Sequence, residues 1–265
     1  MHPIINIATR AARQAGEIIM RASERMDKLT ITSKSENDFV SEVDQMAEQE
    51  IIRTIRKAYP DHAILAEESG QTEGSNSEFE WIIDPLDGTT NYLHQFPQYS
   101  VSIALRQKGR LEHAVVYDPL KDEIFSASRG DGAQMNGRRL RVSAAKGLEG
   151  ALIGTGFPFK NQHYLDDYLQ MFKAIMIPTA GIRRAGSAAL DLAYVAAGRL
   201  DGFWELDLKP WDMAAGLLLI QEAGGMVSDI KGGHEIFETG HVIAGNPRVF
   251  KAMIKALHPY AKNID

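Results

Sequence analysis

Apolar residues recur at intervals of three and four through the first part of the chain. Ile4, Ile7, Ala8, Ala11, Ala15, Ile18, Ile19 and Ala22 share one face of a 3.6-residue spiral, and the spacing predicts an amphipathic helix. A polar stretch with Ser33, Ser35 and Asn37 follows, read as a peripheral loop, and Val43, Ala47, Ile51 and Ile55 mark a second helix stopped by Pro60. The period then shortens. AILA at 63–66 and EWIID at 80–84 are brief apolar runs closed by polar residues, as buried strands are, with SGQTEGSNSE between them as a surface loop. YSVSIALRQKGRLEHAVVYDP alternates apolar and polar residues about Lys108-Gly109 and predicts an antiparallel hairpin, with further strand at EIFSAS. SAAKGLEG at 143–150 reads as a joint, dividing the chain into parts 1–145 and 146–265. Beyond it strands and helices alternate. ALIGTG, a helix near Tyr164–Ile175, a helix over Ser187–Ala197, a strand at GFWEL and a helix over Trp211–Ala223 come in turn. Gly224-Gly225 ends that helix, and HVIAGNP leads to a last one, Val249–Leu257. The pattern predicts a helix-plus-mixed-sheet first part and an α/β second part.

Composition narrows the function classes. With 44% hydrophobic and 24% charged residues, the 265-residue chain can build one large core or two smaller domains sharing one. A net charge of -6 and a pI near 5.8 argue against a broad nucleic-acid surface, which needs clustered Lys and Arg. There are no cysteines, so thiolate metal sites and thiol nucleophiles are excluded together. Arg10, Arg13 and Glu17 break the first apolar face, so no signal-peptide core is present there, and the expected location is cytoplasmic.

The acids gain meaning from where they stand. In WIIDPLDGTT at 81–90, three large apolar residues run straight into Asp84 and Asp87; Glu67 directly follows AILA, and Asp212 opens the helix WDMAAGLLLIQEAGG. Each acid sits at the end of an element, where α/β sheets place their sites. Singly, Asp212 reads as a helix cap, Glu67 as a solvated loop charge, and Asp38 or Asp44 as caps. A turn accounts for Pro85, Asp87 and Gly88, but not for two acids bracketing a buried strand exit with two threonines behind them. Two carboxylates about 4 Å apart repel by roughly 4 kcal/mol at an effective dielectric near 20, so a converging group calls for a cation. With no Cys and no paired-His pattern, the donors are oxygens, which favours Mg²⁺ or Mn²⁺.

EES at 67–69, DPLDGTTN at 84–91 and PWDMAAG at 210–216 together resemble the motifs of the inositol monophosphatase family, within the lithium-sensitive, Mg²⁺-dependent phosphatase superfamily. VSEVD at 40–44, RRAGSAALDLAYVAAG at 183–198 and EAGG at 222–225 extend the likeness over nearly the whole chain. The resemblance implies a layered αβαβα sandwich, usually a homodimer, and hydrolysis of myo-inositol 1-phosphate with two, or three, Mg²⁺ ions and inhibition by Li⁺. It assigns Glu67, Asp84 and the Leu86 carbonyl to a first ion, and Asp84, Asp87 and Asp212 to a second. Thr89, backed by Asp44, would orient the attacking water. Pro85 would turn the Leu86 carbonyl inward, and main-chain N–H groups from Gly88 and Thr89 would face phosphate. Gly186, Ser187 and Ala188 would face the inositol ring, Glu205 would accept from its hydroxyls, and Arg183 would meet phosphate or a ring hydroxyl, leaving Arg184 for a second surface or a dimer interface. Related bisphosphate phosphatases acting on sugars or nucleotides would share the metal centre. A haloacid-dehalogenase reading of the Asp-Gly-Thr string fails because two residues, not one, separate its acids. From another class, bacterial members of the family are similar to a regulatory subunit of transcription antitermination, which implies contacts with elongation factors and RNA polymerase.

Overall fold

In the computed structural model, which describes residues 2–25, 31–35, 38–158, 162–261 and 264, the first apolar face forms α1 (Pro3–Ser23). Pro3 stands in its first turn, and His2 Nδ1 accepts from the Ile4 N–H at 3.3 Å. The polar stretch is a ribbon rather than a loop. β1 (Ile31–Ser35) pairs antiparallel with β2 (Asp38–Ser41), which runs directly into α2 (Glu42–Ala58); Asn37 lies outside the described residues. These strands have too little apolar alternation to announce themselves.

An eight-stranded sheet follows. β3 (His62–Ala66), β4 (Gly70–Thr72), β5 (Asn76–Asp87), a short α3 (Thr89–Leu93), β6 (Ser100–Gln107), β7 (Arg110–Asp118), β8 (Glu123–Ser128), β9 (Gly132–Met135) and β10 (Arg138–Arg139) appear in chain order. In the sheet they lie β10-β9-β8-β7-β6-β5-β3-β4, with β3 and β5 parallel and the other neighbours antiparallel. Lys108 and Gly109 take φ of 50° and 78° and make the left-handed two-residue turn that the hairpin requires. Asn136-Gly137 does the same between β9 and β10, a turn signal that hydrophobic periodicity does not register. The expected loop at 69–78 instead contains β4 and the start of β5.

The second part builds β11 (Leu152–Thr155), α4 (Leu165–Met176), β12 (Gly181–Arg183), α5 (Ala188–Ala196), β13 (Gly202–Glu205), α6 (Pro210–Glu222), β14 (Met226–Ser228), α7 (Ile236–Thr239), β15 (Val242–Gly245) and α8 (Pro247–Leu257). Its five-stranded sheet runs β12-β11-β13-β15-β14. Three apolar clusters hold the layers. α1 and α2 cover one face of the large sheet with Ala8, Ala11, Ala15, Ile51 and Ile55. α5 and α6 fill the space between the two sheets, and α4 and α8 close the far face of the smaller one. The result is a layered αβαβα sandwich. Its middle helices are buried almost all round, which suits their continuous apolar sequences, because both flanks meet a sheet.

Candidate active site

The site grows from the end of β5. Trp81, Ile82 and Ile83 are fully buried, and the pairing with β6 continues through Asp84↔Ser102 to Asp87↔Ser100, with a register shift between. Pro85 has no N–H to give the ladder, so the strand bulges there. The Leu86 N–H turns back to Asp84 Oδ1 at 3.0 Å, and both acids reach the same cavity. Asp212 arrives from the first turn of α6, where its Oδ2 accepts the Lys209 N–H at 2.7 Å. Carboxylate oxygens of Asp84, Asp87 and Asp212 all lie within 4.8 Å of one another. Glu67, on the turn after β3, lines the same cavity, near enough for its charge to act on Asp84.

Asp87 also ties two layers together. Its Oδ2 accepts from Ser187 Oγ at 2.5 Å and from the Ala189 N–H at 2.8 Å, at the start of α5. Burial pushes its carboxyl up to about 6, although the Ser187 hydroxyl and the Ala189 N–H hold it down. Asp84 rises well above the usual carboxylate range, first through burial and then through the charges of Glu67, Asp87 and Asp212. Such mutual repulsion is what a hard divalent cation relieves, and the all-oxygen donor set suits Mg²⁺ or Mn²⁺.

Thr89 Oγ1 stands 2.9 Å from buried Asp44 Oδ1 and 3.1 Å from the Leu86 carbonyl. Gly88 has φ 98°, and a Cβ there would meet the Gln98 carbonyl at 2.9 Å and that of Gly186 at 3.2 Å. Only glycine allows the two loops to approach so closely. Asn91 fastens them, giving Nδ2 to the Gln98 carbonyl at 2.7 Å and to that of Ala185 at 2.8 Å.

These residues line a cavity of about 620 Å³. Glu67, Asp84, Leu86, Asp87, Gly88, Thr89, Gly186, Ser187, Ala188, Glu205 and Asp212 all face it, while Asp44 stands behind Thr89. The arginine pair is reversed. Arg183 is exposed at the end of edge strand β12, gives Nη1 to the Ile182 carbonyl and does not line the cavity. Arg184 does line it, its guanidinium carbon 5.3 Å from the Phe157 ring centre. Alternation along an extended segment does send the two side chains opposite ways, but the parity depends on where β12 ends, which the sequence does not mark. Burial and the charges of Asp191 and Asp212 hold the Glu205 carboxyl well above its usual range, with Arg184 pulling it back. Gly156 leaves the room that Glu205 occupies, since a Cβ there would overlap the carboxylate. Gly156, Phe157, Asp207 and Lys209 are cavity residues that the motif spacing passed over. Of these, Gly156 alone carried a signal, as an isolated glycine at a strand end.

Comparison with known proteins agrees with this geometry. The family model described as "Inositol monophosphatase family" matches residues 1–262. A Pseudomonas aeruginosa relative named Nus factor SuhB is 59% identical over 264 residues, covering 98% of this chain and 97% of its own, and the Escherichia coli K12 Nus factor SuhB is 56% identical over 254, covering 96% and 95%. Among solved structures, the extragenic suppressor protein SuhB of Bartonella henselae superposes with TM-score 0.94 at 45% identity, covering 97% of this chain and 98% of that one. The inositol monophosphatase of Anabaena gives 0.86 at 38% identity, covering 97% and 95%. A match that runs from the first helix to the last, with the acids meeting in one cavity, leaves a single assignment: this chain belongs to the inositol monophosphatase family.

Proposed function

We propose that the chain is a Mg²⁺-dependent phosphomonoesterase that hydrolyses myo-inositol 1-phosphate and related monophosphates. The observation that carries this reading is the convergence of Asp84, Asp87 and Asp212 within 4.8 Å in the main cavity, with Glu67 against Asp84. Glu67, Asp84 and the Leu86 carbonyl would hold one ion, and Asp84, Asp87 and Asp212 a second. When bound, the ions lower the pKa of a nearby water and offset charge on the leaving oxygen. The protein groups do the rest. With its proton given to Asp44, Thr89 Oγ1 keeps lone pairs free to accept from a water and so fixes the direction of that water's attack. Main-chain N–H groups at Gly88 and Thr89 meet phosphate oxygens, and Gly186, Ser187, Ala188 and Glu205 contact the ring, with Arg184 in the place foreseen for Arg183.

A phosphate-release panel tests this, with inositol 1-phosphate beside fructose 1,6-bisphosphate and adenosine 3′,5′-bisphosphate, with and without Mg²⁺. Inositol 1-phosphate should be preferred, activity should vanish in EDTA, and millimolar Li⁺ should inhibit uncompetitively. Asp84→Asn should lose nearly all turnover while staying folded; full activity in EDTA would refute the metal centre.

The names of the relatives favour a second role for the same chain, as a protein partner in bacterial transcription antitermination, contacting elongation factors and RNA polymerase. Pairing of two copies is proposed through α4 and the turn after it, where Leu165, Leu169, Met176 and Ile177 are exposed at 42%, 51%, 48% and 70%.

A further inference from the structure

Glu67 stands where β3 gives way to a turn, its N–H still bonded to the Ile83 carbonyl of β5 at 3.1 Å. It belongs to the 67–69 turn that joins β3 to the three-residue edge strand β4, closed by Gly70 at φ 73°. A side chain from another layer grips that turn. Glu48 of α2 is 3% exposed, and its two carboxylate oxygens accept consecutive N–H groups, Oε2 from Glu68 at 2.8 Å and Oε1 from Ser69 at 2.9 Å. Both oxygens of one buried carboxylate are thus spent on the residues directly after Glu67.

One helical turn earlier on the same face of α2, buried Asp44 holds Thr89. The helix therefore grips two of the segments that bring acids to the cavity, the Glu67 turn through Glu48 and the 84–89 loop through Asp44. We propose that Glu48 is a positioning residue for Glu67: by pinning the Glu68 and Ser69 N–H groups it fixes the turn so that the Glu67 carboxylate faces Asp84, and it thereby sets the affinity of the cluster for a divalent cation. This rests on the metal-centre reading above. It also gives the second and third residues of the Glu67-Glu68-Ser69 string a role, as main-chain donors.

A purely structural Glu48 would lower stability and leave cation affinity alone, so the two roles separate. Mn²⁺ binding to the full chain, followed by isothermal titration calorimetry, is compared among wild type, Glu48→Gln, Ser69→Pro and Glu67→Gln. Glu48→Gln keeps the shape but presents an NH₂ group to one of the N–H donors, and Ser69→Pro removes one donor while leaving Glu48 in place. Each should weaken Mn²⁺ binding about 10-fold or more, as loss of a group that orients a ligand does, with circular dichroism unchanged. At saturating metal, KM for the phosphomonoester should stay within about twofold, since neither change touches substrate. Unchanged Mn²⁺ affinity in either folded variant, beside a weakened Glu67→Gln, would overturn the assignment of Glu48 alone. Wild-type protein that binds no Mn²⁺ would overturn the metal centre and this inference with it.

Discussion

Asp87 is pulled two ways, by burial that favours its neutral form and by hydrogen bonds from Ser187 and Ala189 that favour the anion. Burial prevails, and the carboxyl reaches about 6. An acid with a folded pKa above its unfolded value of about 3.9 binds more protons when folded, so the stability it contributes is present at low pH and is lost as pH rises through the folded value. In the metal-free protein, thermal melts from pH 4 to pH 7 should show wild type losing stability relative to Asp87→Asn, by at most about 3 kcal/mol, and Mg²⁺ should restore it. Parallel melting curves would refute the shift. The acids were legible in the sequence because each follows an apolar run or opens a helix. The arginines were not, because side-chain parity in an extended segment turns on a single residue of register. That reversal changes one expectation. Since Arg184 lines the cavity and its charge acts on Glu205, Arg184→Ala should raise KM for inositol phosphate rather than leave hydrolysis intact.

At the level of elements, the middle pair of helices decides how well the site is held. A Cβ added at Gly216 of α6 would overlap Leu192 of α5, so the helices approach through a missing side chain. Gly216→Ala should therefore cost about 1–3 kcal/mol in urea unfolding, outweighing the gain in helix propensity. Because Asp212 and Ser187 stand at the starts of these helices, the same change should raise the Mg²⁺ concentration needed for activity. A stabilised Gly216→Ala would show that the pair can yield. The long helices and the central strands announced themselves by period. β4, β12 and β14, of three residues each, did not, because edge strands of that length show no alternation to read.

Across the whole molecule, the sheets are assembled by pairings between distant segments, such as β13 with β15, and neither these pairings nor the stacking order of the five layers is encoded in a local pattern. That order was available only through the resemblance of three motifs to a known family. It also separates the surfaces. The acids lie in a cavity, whereas the exposed apolar residues Leu165, Leu169 and Met176 of α4 lie outside it on the outer helical layer, so loss at one need not carry to the other. Asp87→Asn should abolish phosphate release and keep the oligomeric state and any protein partner. Leu169→Glu should do the reverse. Light scattering after gel filtration, a pull-down against elongation factors and the phosphate assay decide it, and an Asp87→Asn protein that stays folded yet loses every function would refute the division.

The hydrogen bond from the Ala189 N–H to Asp87 has one further consequence. That amide belongs to the middle layer, yet its partner is a carboxylate of the neighbouring sheet's site, so whatever draws electron density from Asp87 is felt by a proton in another element. In a ¹⁵N-labelled sample the Ala189 resonance should move as Mg²⁺ is added, and its exchange with deuterated water should change in step, making one backbone amide an internal gauge of occupancy that needs neither substrate nor turnover.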